Sequence, residues 1–192
     1  MFDIKNILFI ILGTPLIGVI FLLLTPSYNK LYLKIIALSF SCLTFIFSLI
    51  LWVFFNKSTS SFQFSSSFEW LSIFNLSISL GVDGLSLFLI LLTTLLIPLC
   101  LLVSWDSINF SLKTYLICFL IMEFFLLAVF CILDVLLFYI FFESVLIPMY
   151  LIIGVWGSRE RKVRASYFFF YLHVTRLSFY AAFNFIHLLP GR

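Results

Sequence analysis

Two glutamates stand inside apolar stretches of the sequence that are otherwise almost free of charge. Glu143 lies in a run that extends from Leu136 to Ile153, and Glu123 lies in the apolar run just before it. A charged side chain at the centre of a bilayer costs about 2.5–3.5 kcal/mol even on the lenient insertion scale. Ionisable groups retained at that cost commonly move protons or ions. Glu143 and Glu123 are therefore the candidate proton-translocation residues.

The composition places the whole chain in lipid. It has 192 residues, of which 64% are hydrophobic and 10% are charged, and its mean hydropathy is +1.26. Soluble domains are about 45–50% apolar and about 25% charged, so a water-soluble fold is excluded. The net charge of +3 is small and no basic stripe with interleaved aromatics is present. We expect the lipid bilayer as a partner and no nucleic acid.

Apolar runs of about 20 residues cross a bilayer as helices, and the region 1–170 contains several of them. Spans are predicted at residues 4–24, 31–55, 82–103, 115–133 and 135–154, and a sixth is expected to start near residue 165. Between the second and third spans, apolar and polar residues alternate, which predicts a hairpin of short strands. The predicted fold is all-α: a polytopic membrane protein with about five to six transmembrane helices and a short extramembrane β-hairpin between helices 2 and 3.

The two carboxylates are expected at similar depth in the membrane. The fourth and fifth spans are joined by almost no chain, which predicts an antiparallel helical hairpin that turns near Asp134. Glu123 lies eleven residues before that turn and Glu143 nine after it, so both lie about 14–16 Å from it, near the midplane. Burial disfavours the charged form of a carboxylate. Each acid is therefore suited to load and release a proton, or else to stay protonated and bond a neighbouring helix.

Two further residues are singled out by their positions. Asp83 is an acidic residue at the start of the third span, where it suits a helix N-terminus as well as a functional role. Pro148 follows Glu143 by five residues and is predicted to kink the fifth helix. No metal site is expected, because the cysteines are scattered singly without the spacing of ligands: Cys42, Cys100, Cys118 and Cys131.

Basic residues predict the orientation, since they remain on the inner side of a membrane. The loops on the N-terminal side hold two of them, Lys5 and Lys57. The loops on the opposite side hold seven: Lys30, Lys34, Lys113, Arg159, Arg161, Lys162 and Arg164. The N-terminus is therefore predicted to face outward.

Three segments together resemble a known family. They are residues 81–86 (GVDGLS), 141–150 (FFESVLIPMY) and 154–161 (GVWGSRER). They resemble subunit 4 of the mitochondrial NADH:ubiquinone oxidoreductase, respiratory complex I, in the form found in plants and algae. The resemblance implies a core, antiporter-like, multi-pass subunit of the mitochondrial inner membrane, with its N-terminus toward the intermembrane space. Such a subunit takes part in proton translocation coupled to electron transfer from NADH to ubiquinone.

The resemblance also implies roles for single residues and for partners. Glu143 corresponds to the family's fifth-helix glutamate, which pairs with a lysine on a seventh helix that this chain does not contain. Asp83 corresponds to a conserved acidic position. The implied partners are the other membrane subunits of complex I. NADH and ubiquinone act at the level of the complex, so this chain is expected to bind no cofactor and to have no redox activity alone.

Two other functions stay open. A subunit of a multi-subunit cation/proton antiporter, or of a membrane hydrogenase, shares this pattern of helices. A truncated, inactive fragment or structural scaffold is the other alternative, because the chain has fewer than half of the family's helices.

The end of the chain departs from the family after residue 170. Codons for residues 171–183 can be chosen so that reading them one base later gives the family's segment. For example, the last two bases of a His173 codon and the first base of a Val174 codon together encode Thr. Residues 171–192 are therefore predicted to be an out-of-frame tail. His173, Arg176 and His187 would then have no selected role.

Overall fold

The computed structural model describes residues 7–56, 61–71, 76–108, 110–157 and 167. Within these ranges the predicted fold class is confirmed, with five apolar helices of membrane-spanning length and one two-stranded antiparallel hairpin. The elements are α1 (Ile7–Leu24), α2 (Lys30–Phe54), β1 (Gln63–Leu71), β2 (Leu76–Val82), α3 (Gly84–Val103), α4 (Leu112–Cys131) and α5 (Val135–Trp156). The predicted sixth helix and the predicted tail lie outside the described residues, apart from Tyr167.

The chain divides into two compact units, residues 1–148 and 149–192. In the first unit α1 to α4 form a four-helix bundle. α1 and α3 each pack against both α2 and α4, and α2 also meets α4 across the middle of the bundle. In the second unit, the described helix is the part of α5 from residue 149 to residue 156.

Two aspartates of the first unit lie at the starts of helices. α3 begins two residues later than the sequence predicts, because Val82 belongs to β2 and Asp83 caps the helix. The Asp83 carboxylate accepts from the Ser86 N–H at 2.7 Å, and the Ser86 hydroxyl accepts from the Asp83 N–H at 2.9 Å, which is a capping box. Hydrogen bonding to Ser86 holds the pKa of Asp83 below its ordinary value. The side chain of Ser86 has the larger effect and its N–H the smaller one. At the start of α5, the Asp134 carboxylate accepts from the Leu136 N–H at 2.8 Å.

The β-hairpin closes one end of the bundle. The Leu133 N–H, just beyond α4, donates to the carbonyl of Ser79 in β2 at 2.9 Å. Gly81 lies close to the Leu133 side chain, since a Cβ there would be 2.9 Å from Leu133 Cδ1. Leu80 and Val82 are buried in an apolar cluster with residues of all four bundle helices: Ile7, Leu8, Ile11, Leu51, Leu87, Ile90, Leu127 and Cys131. The hairpin thereby fixes the helix ends beside it.

α5 differs from the bundle helices in how little of it is covered. Of its 22 residues only Leu137 and Pro148 are buried. It meets α4 through aromatic rings: the ring centroid of Phe141 lies 6.0 Å from that of Phe124 and 6.2 Å from that of Phe125. α4, by contrast, has the largest buried share of the five described helices. Residues 135–148 therefore lie at the margin of the bundle, and α4 lies within it.

Candidate functional site

Glu123 lies inside the bundle, where α4 meets α2. Its side chain is 0% exposed. The Thr44 hydroxyl of α2 donates to Glu123 Oε1 at 2.6 Å. The second oxygen, Oε2, is buried and has no hydrogen-bond partner among the described residues. The carboxyl group is thus held through one oxygen only.

α2 presents a row of hydroxyl groups to the interior of the bundle. Ser41, Thr44 and Ser48 recur every three or four residues and are all buried, so they share one face of the helix. The Ser48 and Thr94 hydroxyls, on α2 and α3, lie 2.9 Å apart. We call Ser41, Thr44, Ser48 and Thr94 the hydroxyl cluster. This cluster was not predicted from the sequence, although hydroxyl-bearing residues at helical spacing inside an apolar run could have indicated it.

No cation of the described bundle is close to Glu123. α1 and α3 contain neither lysine nor arginine. The nearest lysine on α2, Lys34, is ten residues from Thr44, and the nearest on α4, Lys113, is ten residues from Glu123. At about 1.5 Å per residue, each lies about 15 Å away along its helix. An ionised Glu123 would therefore lack a counter-charge within this bundle.

Both of those lysines satisfy carbonyl groups at the ends of neighbouring helices. Lys113 Nζ donates to the carbonyls of Leu23 and Thr25, at 2.9 Å each, where α1 ends. Lys34 Nζ donates to the carbonyl of Trp105, just after α3. The last carbonyls of a helix have no partner within it and carry partial negative charge. The two cations thus stabilise helix ends and take no part in the buried site.

Glu143 has a different environment from Glu123. It lies eight residues after Val135, as Glu123 lies eight residues before Cys131, so both are about 12 Å from the turn between their helices. The Glu143 side chain is half-buried. Pro148 lies inside α5 and has no N–H to donate to the carbonyl four residues earlier. That carbonyl belongs to Ser144, the neighbour of Glu143.

The structure does not join the four predicted site residues into one group. Glu123 and Glu143 share no hydrogen bond, since Oε1 of Glu123 bonds Thr44 and Oε2 has no partner among the described residues. Asp83 caps α3 and is not part of the hydroxyl cluster. Within the described ranges, no three His, Cys, Asp or Glu side chains come together as metal ligands. A buried carboxyl group beside hydroxyls suits proton binding.

Comparisons with known proteins give one matching family model and several curated relatives that share one name. A family model described as "NADH:quinone oxidoreductase/Mrp antiporter, TM" matches residues 132–191. A protein of Chondrus crispus named NADH-ubiquinone oxidoreductase chain 4 is 64% identical over 157 residues, which cover 82% of this chain and 32% of the relative. The protein of that name in Arabidopsis thaliana is 53% identical over 156 residues, covering 81% of this chain and 32% of the relative.

A relative from a liverwort aligns with more of the chain. The chain 4 protein of Marchantia polymorpha is 46% identical over 178 residues, which cover 92% of this chain and 36% of the relative. The chain thus spans about a third of the length of these curated relatives.

Proposed function

Because this chain resembles the N-terminal part of proteins named NADH-ubiquinone oxidoreductase chain 4, we propose that it is the corresponding part of a core, antiporter-like subunit of respiratory complex I. Its role is proton translocation, coupled to electron transfer from NADH to ubiquinone. The redox reaction belongs to the complex, and this chain binds neither NADH nor ubiquinone. Its partners are the other membrane subunits of the complex.

The observation that carries this proposal is the buried carboxyl group of Glu123. A carboxylate taken out of water without a counter-charge costs several kcal/mol, and Thr44 is the one hydrogen-bond partner described for it. The neutral acid is therefore favoured while no cation is near, and an approaching cation favours release of the proton. A group that changes its protonation in this way is what a proton-translocating subunit needs.

Glu143 is the second proton-binding residue of the proposal. By the resemblance it pairs with a lysine of a seventh helix. Glu143 is half-buried on α5, a helix whose buried residues are Leu137 and Pro148. The Ser144 carbonyl freed by Pro148 adds a hydrogen-bond acceptor beside the glutamate. Relative to these acids, Asp83 has a structural role as the cap of α3.

The location we propose is the mitochondrial inner membrane, with the N-terminus toward the intermembrane space. The excess of basic residues on the opposite side supports this orientation. Lys34 and Lys113, which belong to that basic side, bond to carbonyls at the ends of α3 and α1 and so lie at one end of the bundle. That end is expected to face the matrix.

Co-purification tests the assignment to complex I. Membranes of the source organism are solubilised in mild detergent, fractions that reduce quinone with NADH are collected, and their peptides are identified by mass spectrometry. Peptides of this chain should follow the NADH-oxidising activity. Their recovery only in fractions without that activity would favour a cation/proton antiporter, which the description of the matching family model also covers.

Replacement of Glu143 tests the role in transport. In the assembled complex, Glu143→Gln should lower NADH-driven proton uptake into sealed vesicles by at least about tenfold, because an amide cannot exchange a proton. Glu143→Asp is the matched control and should retain part of the uptake. Unchanged proton uptake per NADH in Glu143→Gln would favour the structural scaffold instead.

Residues 171–192 are proposed to be an out-of-frame continuation. Because the family-model match runs to residue 191, this proposal needs a test at the nucleotide level. The transcript past codon 170 should hold a second frame that encodes further chain 4 sequence. A message with no such downstream frame would show that the tail is the genuine continuation.

A further inference from the structure

We propose that Thr44 is a positioning residue for Glu123: its hydroxyl holds Oε1 and thereby makes Oε2 the oxygen that gains and loses the proton. This inference rests on the proposed function only in taking Glu123 to be a proton-binding group. It assigns a role to a side chain of α2 that has no ionisable group of its own.

The hydroxyl group of Thr44 has a single proton to donate. Thr44 Oγ1 lies 2.6 Å from Glu123 Oε1 and 2.7 Å from the carbonyl of Ser41. One hydroxyl can donate fully to only one of these acceptors. The Ser41 carbonyl lies inside α2, where it already accepts the backbone N–H four residues on. Thr44 is the one donor described for Oε1, so the hydroxyl proton belongs between Thr44 and Glu123.

The two oxygens of Glu123 then differ in both protonation states. In the neutral acid, Oε1 is the carbonyl oxygen and accepts from Thr44, while Oε2 carries the proton. In the ionised form Thr44 still donates to Oε1, in a bond strengthened by the charge. Oε2 is buried and has no partner among the described residues. An unpartnered buried oxygen is rare, and it is the atom at which a visiting base or water can act.

Other ionisable groups lie on the surrounding helices, but the hydrogen bond described for Glu123 goes to none of them. α1 carries none. The ionisable residues of α2, α3, α4 and the part of α5 before Pro148, apart from Glu123 itself, are the following: Lys30, Tyr32, Lys34, Cys42, Cys100, Lys113, Tyr115, Cys118, Cys131, Tyr139 and Glu143. The hydrogen bond described for the Glu123 carboxyl group goes to Thr44. The hydroxyl is thus the group that can orient the acid.

A second arrangement of the same atoms gives a different spectroscopic result. Glu123 could donate its own proton to Thr44 Oγ1, while Thr44 donates to the Ser41 carbonyl. The carbonyl of the neutral acid would then be Oε2, which has no hydrogen bond. In the proposed arrangement the carbonyl is Oε1, which accepts one. A hydrogen bond to a carbonyl lowers its stretching frequency, so infrared spectroscopy separates the two.

The experiment uses the full chain in lipid bilayers and records infrared differences between low and high pH. The carboxyl band of Glu123 is the one that Glu123→Gln removes. In Thr44→Val this band should move to higher frequency, because Oε1 loses its donor. The carboxyl band of Glu123 should also disappear at a higher pH in this variant than in the parent chain, because the ionised form loses a charge-assisted hydrogen bond. Thr44→Ser keeps a hydroxyl and should restore both values.

Thr94→Val is the matched control. It removes a buried hydroxyl one helix away, and Ser48 keeps the Phe45 carbonyl as an acceptor at 2.7 Å. The Glu123 band should stay in place in this variant. If the band is unmoved in Thr44→Val, or moves equally in Thr94→Val, Thr44 does not position the acid. A chain without any carboxyl band that depends on Glu123 would also overturn the proposal, because Oε2 would then never carry a proton.

Circular dichroism checks that each variant keeps its helices, and Thr44→Ala replaces Thr44→Val if the latter does not fold. The outcome is independent of the assignment to complex I. A chain that separates from NADH-oxidising activity can still show the Thr44 effect, and a chain that co-purifies with it can lack the effect.

Discussion

α4 and α5 are neighbours in sequence, are similarly apolar, and each carries one glutamate eight residues from the helix end that adjoins the turn between them. Their surroundings nevertheless differ. α4 is the most buried of the described helices and holds Glu123 against Thr44. α5 has two buried residues, Leu137 and Pro148. Hydropathy therefore identifies a helix that spans lipid but does not tell whether that helix lies inside a bundle or at its margin.

The physical reason is that lipid chains are as apolar as leucine. Between two membrane helices, packing and hydrogen bonds drive association, and burial of apolar surface adds little. An apolar side chain therefore suits a lipid-facing and a buried position equally well. The position of the glutamates has a functional consequence: the bundle itself supplies the environment of Glu123, whereas that of Glu143 depends on what lies beside α5.

The largest stability difference between the two helices should come from paired leucine truncations. Leu127 on α4 is 0% exposed and Leu136 on α5 is 44% exposed. Leu127→Ala should lower the free energy of unfolding by about 2 kcal/mol, the low end for a buried leucine, because a cavity is left but little transfer energy is lost in lipid. Leu136→Ala should change it by less than about 0.5 kcal/mol. Unfolding in mixed micelles measures both, and equal losses would contradict the contrast between the helices.

Single substitutions at two glycines are expected to destabilise the chain less than Leu127→Ala. A Cβ at Gly18 of α1 would lie 2.9 Å from Phe40 Cβ and 3.0 Å from Leu120 Cδ1, whereas nothing lies within 4 Å of a Cβ at Gly154 of α5. Gly18→Ala should therefore destabilise the bundle by about 1–2 kcal/mol through overpacking. Gly154→Ala should be neutral or stabilising by up to about 1 kcal/mol, because alanine favours the helix. The same micelle unfolding compares them, and a tolerated Gly18→Ala would show that α1, α2 and α4 pack less closely than described.

The smallest effect concerns the two helix caps. Asp83→Ala should lower the free energy of unfolding by about 1 kcal/mol. Asp134→Ala should lower it by a similar amount, because Asp134 also accepts from a backbone N–H at the start of its helix. The pKa of Asp83 is lowered in the folded state, so its contribution is fully present above the ordinary aspartate range near about pH 4. It is lost as the pH falls through the lower, folded-state value. Unfolding measured from pH 6 down to pH 2 should show a loss in the parent chain that Asp83→Ala lacks.

Much of the fold could be predicted from the sequence. Length and hydropathy were enough for the five described helices, and the alternation of apolar and polar residues was enough for the β-hairpin, because those periodicities follow from local geometry. The rarity of charge in apolar runs also directed attention to Glu123 and Glu143. Their roles stay proposals, as do those of Asp83 and Pro148.

The contacts between helices could not be predicted in the same way. The bond from Thr44 to Glu123 joins residues 79 positions apart, and no local pattern specifies which helix α4 meets across the bundle. The short connection at Asp134 suggested a close pair of α4 and α5. In the first unit, α4 packs against α1, α2 and α3, and its described contacts with α5 are between aromatic rings. Packing surfaces in lipid depend on shape, which a list of apolar residues does not contain.

The bond from Lys113 to the end of α1 has a consequence for biosynthesis. Lys113 follows Leu23 by 90 positions, so at about 5–20 residues per second the ribosome needs on the order of 5–20 s to reach it. During that interval the carbonyls of Leu23 and Thr25 depend on water or lipid headgroups at the membrane surface. The bonds from Lys113 to the end of α1 can thus form only after the start of α4 has been made.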